Sequence, residues 1–219
     1  MERYQVTLGF AESTWESIAT STPRYHVSDL IREEPRNGIS PSTNNTGVGL
    51  KTVSTSAVTG GRFEMDGNIK YAEIEAGRVR SYFVQQNDVF VVRGNGNRNL
   101  TGKSGIANQS YDDLFYPDLL IRLRFDEAKI LPRFAVAQWN SPSVHRRLVA
   151  RAKSTNGIWK VNGGDLREHL LAVPPISVQV RFLAELDQLE SARNRLRRRL
   201  TLVRETKMQA LQKGMFGAA

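Results

Sequence analysis

The strongest constraint in this sequence lies near its C-terminal end. Pro174-Pro175 halts whatever precedes it, and residues 176–213 then contain neither Gly nor Pro. A long segment without either breaker, rich in Leu, Arg, Glu and Gln, is suited to run as one helix. At about 1.5 Å per residue it would extend roughly 57 Å. Along it Phe182, Leu186, Leu189, Leu196, Leu200 and Val203 recur at intervals of four and three, with one step of seven where Arg193 takes the skipped position. A seam of about four heptads predicts a coiled-coil interface. Two plainer readings stand beside it: the helix packs on its own domain, and the arginines of Arg193–Arg199 form a solvated face.

Upstream the texture is β-like. Between Val27 and Gly105 short apolar runs (Gly49–Val53, Ile69–Ile74, Val79–Val84, Val89–Arg93) alternate with clusters of Gly, Asn, Ser and Thr, which is the pattern of short strands and turns. Asn87–Arg93 predicts a strand buried on both faces, and Leu119–Phe125 a second strand. Helical texture follows. Pro132 suits the first turn of a helix through Phe134–Trp139, and Ser143 is placed to cap another over Val144–Lys153. A loop over Ser154–Gly164 holds Trp159, and Asp165–Leu171 reads as a short helix. A lead-in helix is expected near Ser13–Ala19. The expected fold class is α+β: a β-rich domain with small helices, then a long C-terminal coiled-coil helix, divided at residues 1–26, 27–173 and 174–219.

Composition narrows the chemistry. The 219 residues are 40% hydrophobic and 24% charged, ordinary for a chain with a real core. With no cysteine, disulfides, thiolate metal sites and cysteine nucleophiles are excluded, and a cytoplasmic setting is expected. His26, His145 and His169 are too scattered to suggest a metal cluster. The first ten residues lack a basic leader and an apolar core, and no membrane-length apolar run occurs, so no membrane partner is expected. The formal charge is +9, and residues 174–219 hold 9 basic against 4 acidic groups. That balance suits a polyanion.

Three near-motifs for catalysis fail, one on its spacing, one on its setting and one on a missing residue. Gly96 to Ser104 resembles a phosphate-binding loop, but five residues rather than four separate Gly96 from Gly102, and Gly105–Ser110 is a poor helix start. Pro117-Asp118 with Glu127-Ala128-Lys129 matches the PD…ExK pattern of metal-dependent nucleases. That chemistry needs both carboxylates on one cation, and Asp126–Lys129 reads as a turn after a strand. Pro174-Pro175 lacks the polar residue that an adenine methyltransferase motif places before its prolines. No catalytic centre and no cofactor are expected; a nuclease using Asp118, Glu127 and Lys129, or a coiled-coil interaction protein with incidental basicity, remain the alternatives.

Several segments together resemble the DNA specificity subunits of type I restriction–modification systems. Gly38-Ile39-Ser40, Gly49–Val53 and Gly60–Phe63 look like that family's opening turns and strand, and Asn87–Gly94 like its strand-and-loop. Trp139-Asn140-Ser141 resembles the end of its first helix, and Gly157–Gly164 is loosely similar to a later loop. Leu170–Gln179, with the proline pair and Gln179, is the most specific element, and Leu211–Gly217 resembles its end. Val178 departs from the acidic residue usual there. The larger departure is length, since family members usually carry two recognition domains and two such helices. The resemblance implies a non-catalytic protein whose partners are double-stranded DNA, methyltransferase subunits, a restriction/translocase subunit and, with one helix per chain, a second copy reading a split palindromic site.

Candidate contacts follow from the chemistry of base edges. Forked donors suit guanine and amides suit adenine. Arg93, Asn95, Asn97, Arg98, Asn99 and Lys103 supply both kinds on one glycine-punctuated loop, which a solvated polar loop would also explain. Lys51, Ser54, Thr55 and Arg62 form a second group. Arg146 and Arg147, with Arg151 and Lys153, are candidates for phosphates or simply a solvated face. Trp159 is either core or a stacking wedge.

Overall fold

The computed structural model describes Ile18 and residues 21–216; apart from Ile18, the lead-in helix expected at Ser13–Ala19 lies outside the described residues. In chain order the elements are β1 (Arg24–His26), α1 (Val27–Leu30), β2 (Arg36–Asn37), β3 (Leu50–Val53), β4 (Gly61–Arg62), β5 (Ile69–Ala72), α2 (Ala76–Val79), β6 (Val89–Val92), β7 (Gly94–Asn95), β8 (Ser104–Ile106), β9 (Leu120–Leu123), α3 (Pro132–Trp139), α4 (Pro142–Val149), β10 (Lys153–Thr155), β11 (Ile158–Lys160), α5 (Gly163–Arg167), β12 (Leu170–Ala172) and α6 (Ile176–Phe216). The α+β class and the long C-terminal helix are as expected.

A five-stranded sheet in the order β2-β9-β6-β8-β4 forms the centre. Side chains alternate across a strand, and here both faces are covered. Val89, Val91, Ile121 and Leu123 join one core with Phe134, Trp139, Leu148 and Phe182, whereas Phe90, Val92 and Leu120 join another with Val53, Phe63, Leu114 and Tyr116. Burial on both sides explains why β6 reads as an unbroken apolar run. Arg122 in β9 is also buried; its guanidinium donates to Ser81 O at 3.3 Å and to Glu33 at 3.3 Å. Neighbouring Arg124 bridges Glu33 and buried Asp88.

Four local expectations need correcting. Val79–Val84 is not a strand: α2 leads into a 3-10 turn over Arg80–Tyr82, because Val79 and Tyr82, three residues apart, share one face against Ala72 and Phe115. The N-cap of α4 is Ser141, not Ser143, and the helix ends at Val149. The stretch over Ser154–Gly164 is a hairpin more than a loop. Asn156 and Gly157 adopt φ of 50° and 76°, the two left-handed positions that let an Asn-Gly pair join two twisted strands. Finally, α5 begins at Gly163, capped by Asn162 and Asp165, and residues 170–172 pair with β1 rather than continuing it.

The root of α6 is locked to the domain. Gln179 is fully buried; its Oε1 accepts from Leu131 N–H at 2.8 Å, and its Nε2 donates to Pro174 O at 2.9 Å and Lys129 O at 3.1 Å. One amide thus ties the start of α6 to the unpaired entrance of α3, where a helix leaves backbone N–H groups without partners. A turn later Phe182, 5% exposed, sets its ring edge-on to Phe134 at 5.3 Å. Arg133 then pairs with Asp187 at 2.8 Å, and Arg62 with Glu190. Further along the helix the surroundings end: Leu196 and Leu200 are 60% and 59% exposed.

Candidate nucleic-acid interface

The loop that follows β6 is rigid at its base and open at its tip. Strand β7 pairs with β11, placing Asn95 opposite Trp159 and Gly94 opposite Lys160. Arg93 N–H donates to Leu119 O at 2.8 Å, while Arg93 O accepts from Val161 N–H at 2.9 Å. At the far end helices α3 and α4 hold the returning chain. Trp139 Nε1 donates to Gly102 O at 2.8 Å, and His145 Nε2 to Thr101 O at 2.8 Å. Asn140 exchanges two bonds with the Ser104 backbone, at 2.8 and 3.0 Å. Loop residues set on a rigid scaffold are the usual carriers of recognition.

Within the tip the candidate residues differ in what they have left to offer. The Oδ1 atoms of Asn95 and Asn97 accept from Asn97 N–H and Asn99 N–H, at 2.8 and 2.9 Å. Those two amides therefore shape the loop and keep mainly their NH2 groups for a ligand. Asn99 is exposed. Arg98 stacks its guanidinium 4.5 Å from the Trp159 ring centre and reaches Val149 O at 3.4 Å. Trp159 thus holds an arginine in place by cation–π attraction. Arg93 makes a 3.8 Å ion pair with Asp118.

Lys103 sits elsewhere: its ammonium donates to Asn140 O at 3.3 Å at the base of the loop, where burial lowers its pKa. The second group is dispersed. Lys51 pairs with Asp113 at 2.7 Å, and that hydrogen-bonded carboxylate raises its pKa. Ser54 Oγ donates to Asn68 Oδ1 at 2.8 Å, Thr55 opens a 3-10 turn, and Arg62 meets α6. Arg146 and Arg147 are exposed on α4, whose end supplies the carbonyl that Arg98 contacts.

Residues missed at the sequence level complete this face. Lys160 and Ile158 lie on the hairpin with the phosphate candidate Lys153, and Arg24 is close enough to Arg147 that its like charge, after burial, lowers the Arg147 pKa. The Asn156-Gly157 pair was the available signal for the hairpin. Its pairing with β7, across more than sixty residues of chain, had no local signature.

The geometry disfavours the nuclease alternative. Asp118 and Glu127 lie at opposite ends of β9; Asp118 accepts from Ser40 Oγ at 2.6 Å and Glu127 from Asn87 Nδ2 at 3.0 Å. Lys129 pairs with Asp126 at 3.5 Å. Among the described residues no group of three or more His, Cys, Asp or Glu could hold a metal ion, and no helix is long and apolar enough to cross a membrane.

No family model matches the chain. It is 28% identical over 162 residues to the EcoKI type I restriction enzyme specificity subunit of Escherichia coli K12, an alignment covering 74% of this chain and 34% of that protein. A second relative, the StySPI specificity subunit of Salmonella potsdam, is 24% identical over 123 residues, 56% of this chain and 27% of that one. The chain thus aligns with about a third of each relative's length. Among solved structures, a type I restriction–modification assembly gives a TM-score of 0.59 at 18% identity, covering 97% of this chain and 53% of that chain. The HsdS subunit of Thermoanaerobacter tengcongensis gives 0.56 at 15% identity with the same coverage. The chain is thus similar in sequence to two type I restriction enzyme specificity subunits and shares the fold of the solved HsdS subunit.

Proposed function

We propose that this chain reads one half of a split double-stranded DNA target and directs methyltransferase and restriction/translocase subunits to it, without catalysing a reaction itself. In this reading residues 27–173, with strand β1 attached, are the recognition domain, and residues 174–219 are a docking and dimerisation helix. The observation that supports it most is the loop after β6. Its base is clamped at Thr101–Ser104 and its tip offers Arg98, Asn99 and the Asn95 and Asn97 amino groups beside the lysines of the hairpin. Direct readout needs planar donors held in register, and a guanidinium stacked on Trp159 is such a group. Arg146 and Arg147, at the adjoining helix, are assigned to phosphates, which position a protein without reading sequence.

The exposed part of the helix seam, Leu196, Leu200 and Val203, supports pairing with a second copy. An antiparallel pair would place two recognition domains at opposite ends, matching a palindromic split site.

Fluorescence anisotropy with a duplex selected from a randomised pool tests the reading. Arg98→Ala should cost about 1–3 kcal/mol and relax preference at one base pair. Arg147→Ala should weaken every duplex alike and flatten the salt dependence. Unchanged binding by both variants would remove this face from the interface, and a chain that sediments as a monomer with DNA at micromolar concentration would remove the homodimer.

A further inference from the structure

The candidate reading face carries two aliphatic side chains where a purely phosphate-binding surface has no use for them. Leu119 and Ile158 are 41% and 40% exposed, and they converge on one bare backbone position. A side-chain carbon built on Gly94 would lie 3.6 Å from Leu119 Cδ2, 3.6 Å from Ile158 Cγ2 and 3.3 Å from Lys160 Cγ. The three side chains therefore close over Gly94 from separate segments. Their placement is rigid, because Leu119 O and Val161 N–H hydrogen-bond to the two sides of Arg93. The surroundings are polar and basic: Asn95 follows Gly94 in β7, Lys160 flanks Ile158 by two residues, and Arg98 lies against Trp159 of the same strand.

Among the groups that duplex DNA presents, phosphates are charged and sugars carry no distinguishing apolar group in the major groove. Of the four base edges there, thymine alone displays a methyl group. An apolar pair held among forked and amide donors is matched to that edge: the donors set register and the aliphatic tips shed water against the methyl. We propose that Leu119 and Ile158 are specificity-determining residues that contact a thymine C5-methyl group, so that the half-site contains an A·T pair recognised partly by packing. This rests on the DNA-recognition reading above and names one element of its target.

The test uses the full chain and a randomised duplex pool, followed by synthesis of the enriched duplex with thymine or with deoxyuridine, which lacks only the methyl. Wild-type affinity should fall about fourfold for each contacted methyl removed, the worth of one buried CH2-sized group. Leu119→Ala and Ile158→Ala should each bind the two duplexes with more nearly equal affinity. Enrichment of a sequence whose thymine and deoxyuridine forms bind wild type equally overturns this inference alone, whatever the fold of the variants. Failure to enrich any sequence overturns the recognition reading together with it.

Discussion

The two parts of α6 follow one heptad pattern and meet different surroundings. At the root, Phe182 enters the domain core and Leu186 packs against it, while Gln179, Asp187 and Glu190 are bonded to α3 and β4. Beyond Arg193 the same pattern presents Leu196, Leu200 and Val203 to solvent. A period of seven thus states which side of a helix is apolar, and leaves open what covers it. Here the domain covers the first turns and leaves the remainder exposed. Of the outer arginines, Arg195 and Arg198 lie on the side of the helix away from that seam and Arg199 flanks it, as 100° per residue dictates.

Acid should separate the domain from the helix most strongly. All three histidines precede α6. Burial, then the nearby Lys103 charge, depresses His145 from 6.5 to about 4, and burial with the Arg147 and Arg151 charges depresses His169 to about 3. Both are neutral when folded and take up protons on unfolding. Stability is therefore full above pH 6.5 and falls as pH drops towards 4, by about 1.4 kcal/mol per pH unit per histidine. Urea denaturation across that range measures it; a flat profile would mean that neither ring is buried as described. His169→Phe should remove part of the slope.

At the root, Phe182→Ala should cost about 3–5 kcal/mol by opening a cavity against Phe134. Gln179→Leu should cost about 1–3 kcal/mol, because Leu131 N–H and the Lys129 and Pro174 carbonyls lose their partner. Both are read from denaturant midpoints. A Gln179→Leu variant as stable as wild type would show that the amide does not lock the helix. At the distal end, Leu200→Ala should leave folding at high dilution within about 0.5 kcal/mol, and instead weaken self-association in sedimentation experiments. A loss of folding stability comparable to that at Phe182 would erase the distinction between root and rod.

How much of the candidate site was legible depends on the range of the interactions that build it. The polar loop after β6 announced itself by composition, and its Gly, Asn and Arg content pointed to a contact surface. The roles of its members did not follow. Asn95 and Asn97 turn part of their polarity inward to the loop backbone, Lys103 reaches Asn140, and Arg62 meets a helix more than a hundred residues later. The aliphatic pair over Gly94 was invisible, because Leu119 and Ile158 come from different segments and each alone resembles an ordinary strand residue.

Local patterns alone determined the long helix, the doubly buried strand β6, the Pro-opened helix α3, the absence of cysteine chemistry and the basic balance. These arise from backbone propensity, side-chain period and charge, which neighbours in sequence settle among themselves. The tertiary structure decided which turns of the heptad seam are already covered and which amides are still available. It also brought Trp159 beneath Arg98. Those outcomes depend on contacts between residues far apart in the chain, where burial and hydrogen-bond partners are set by the packed whole.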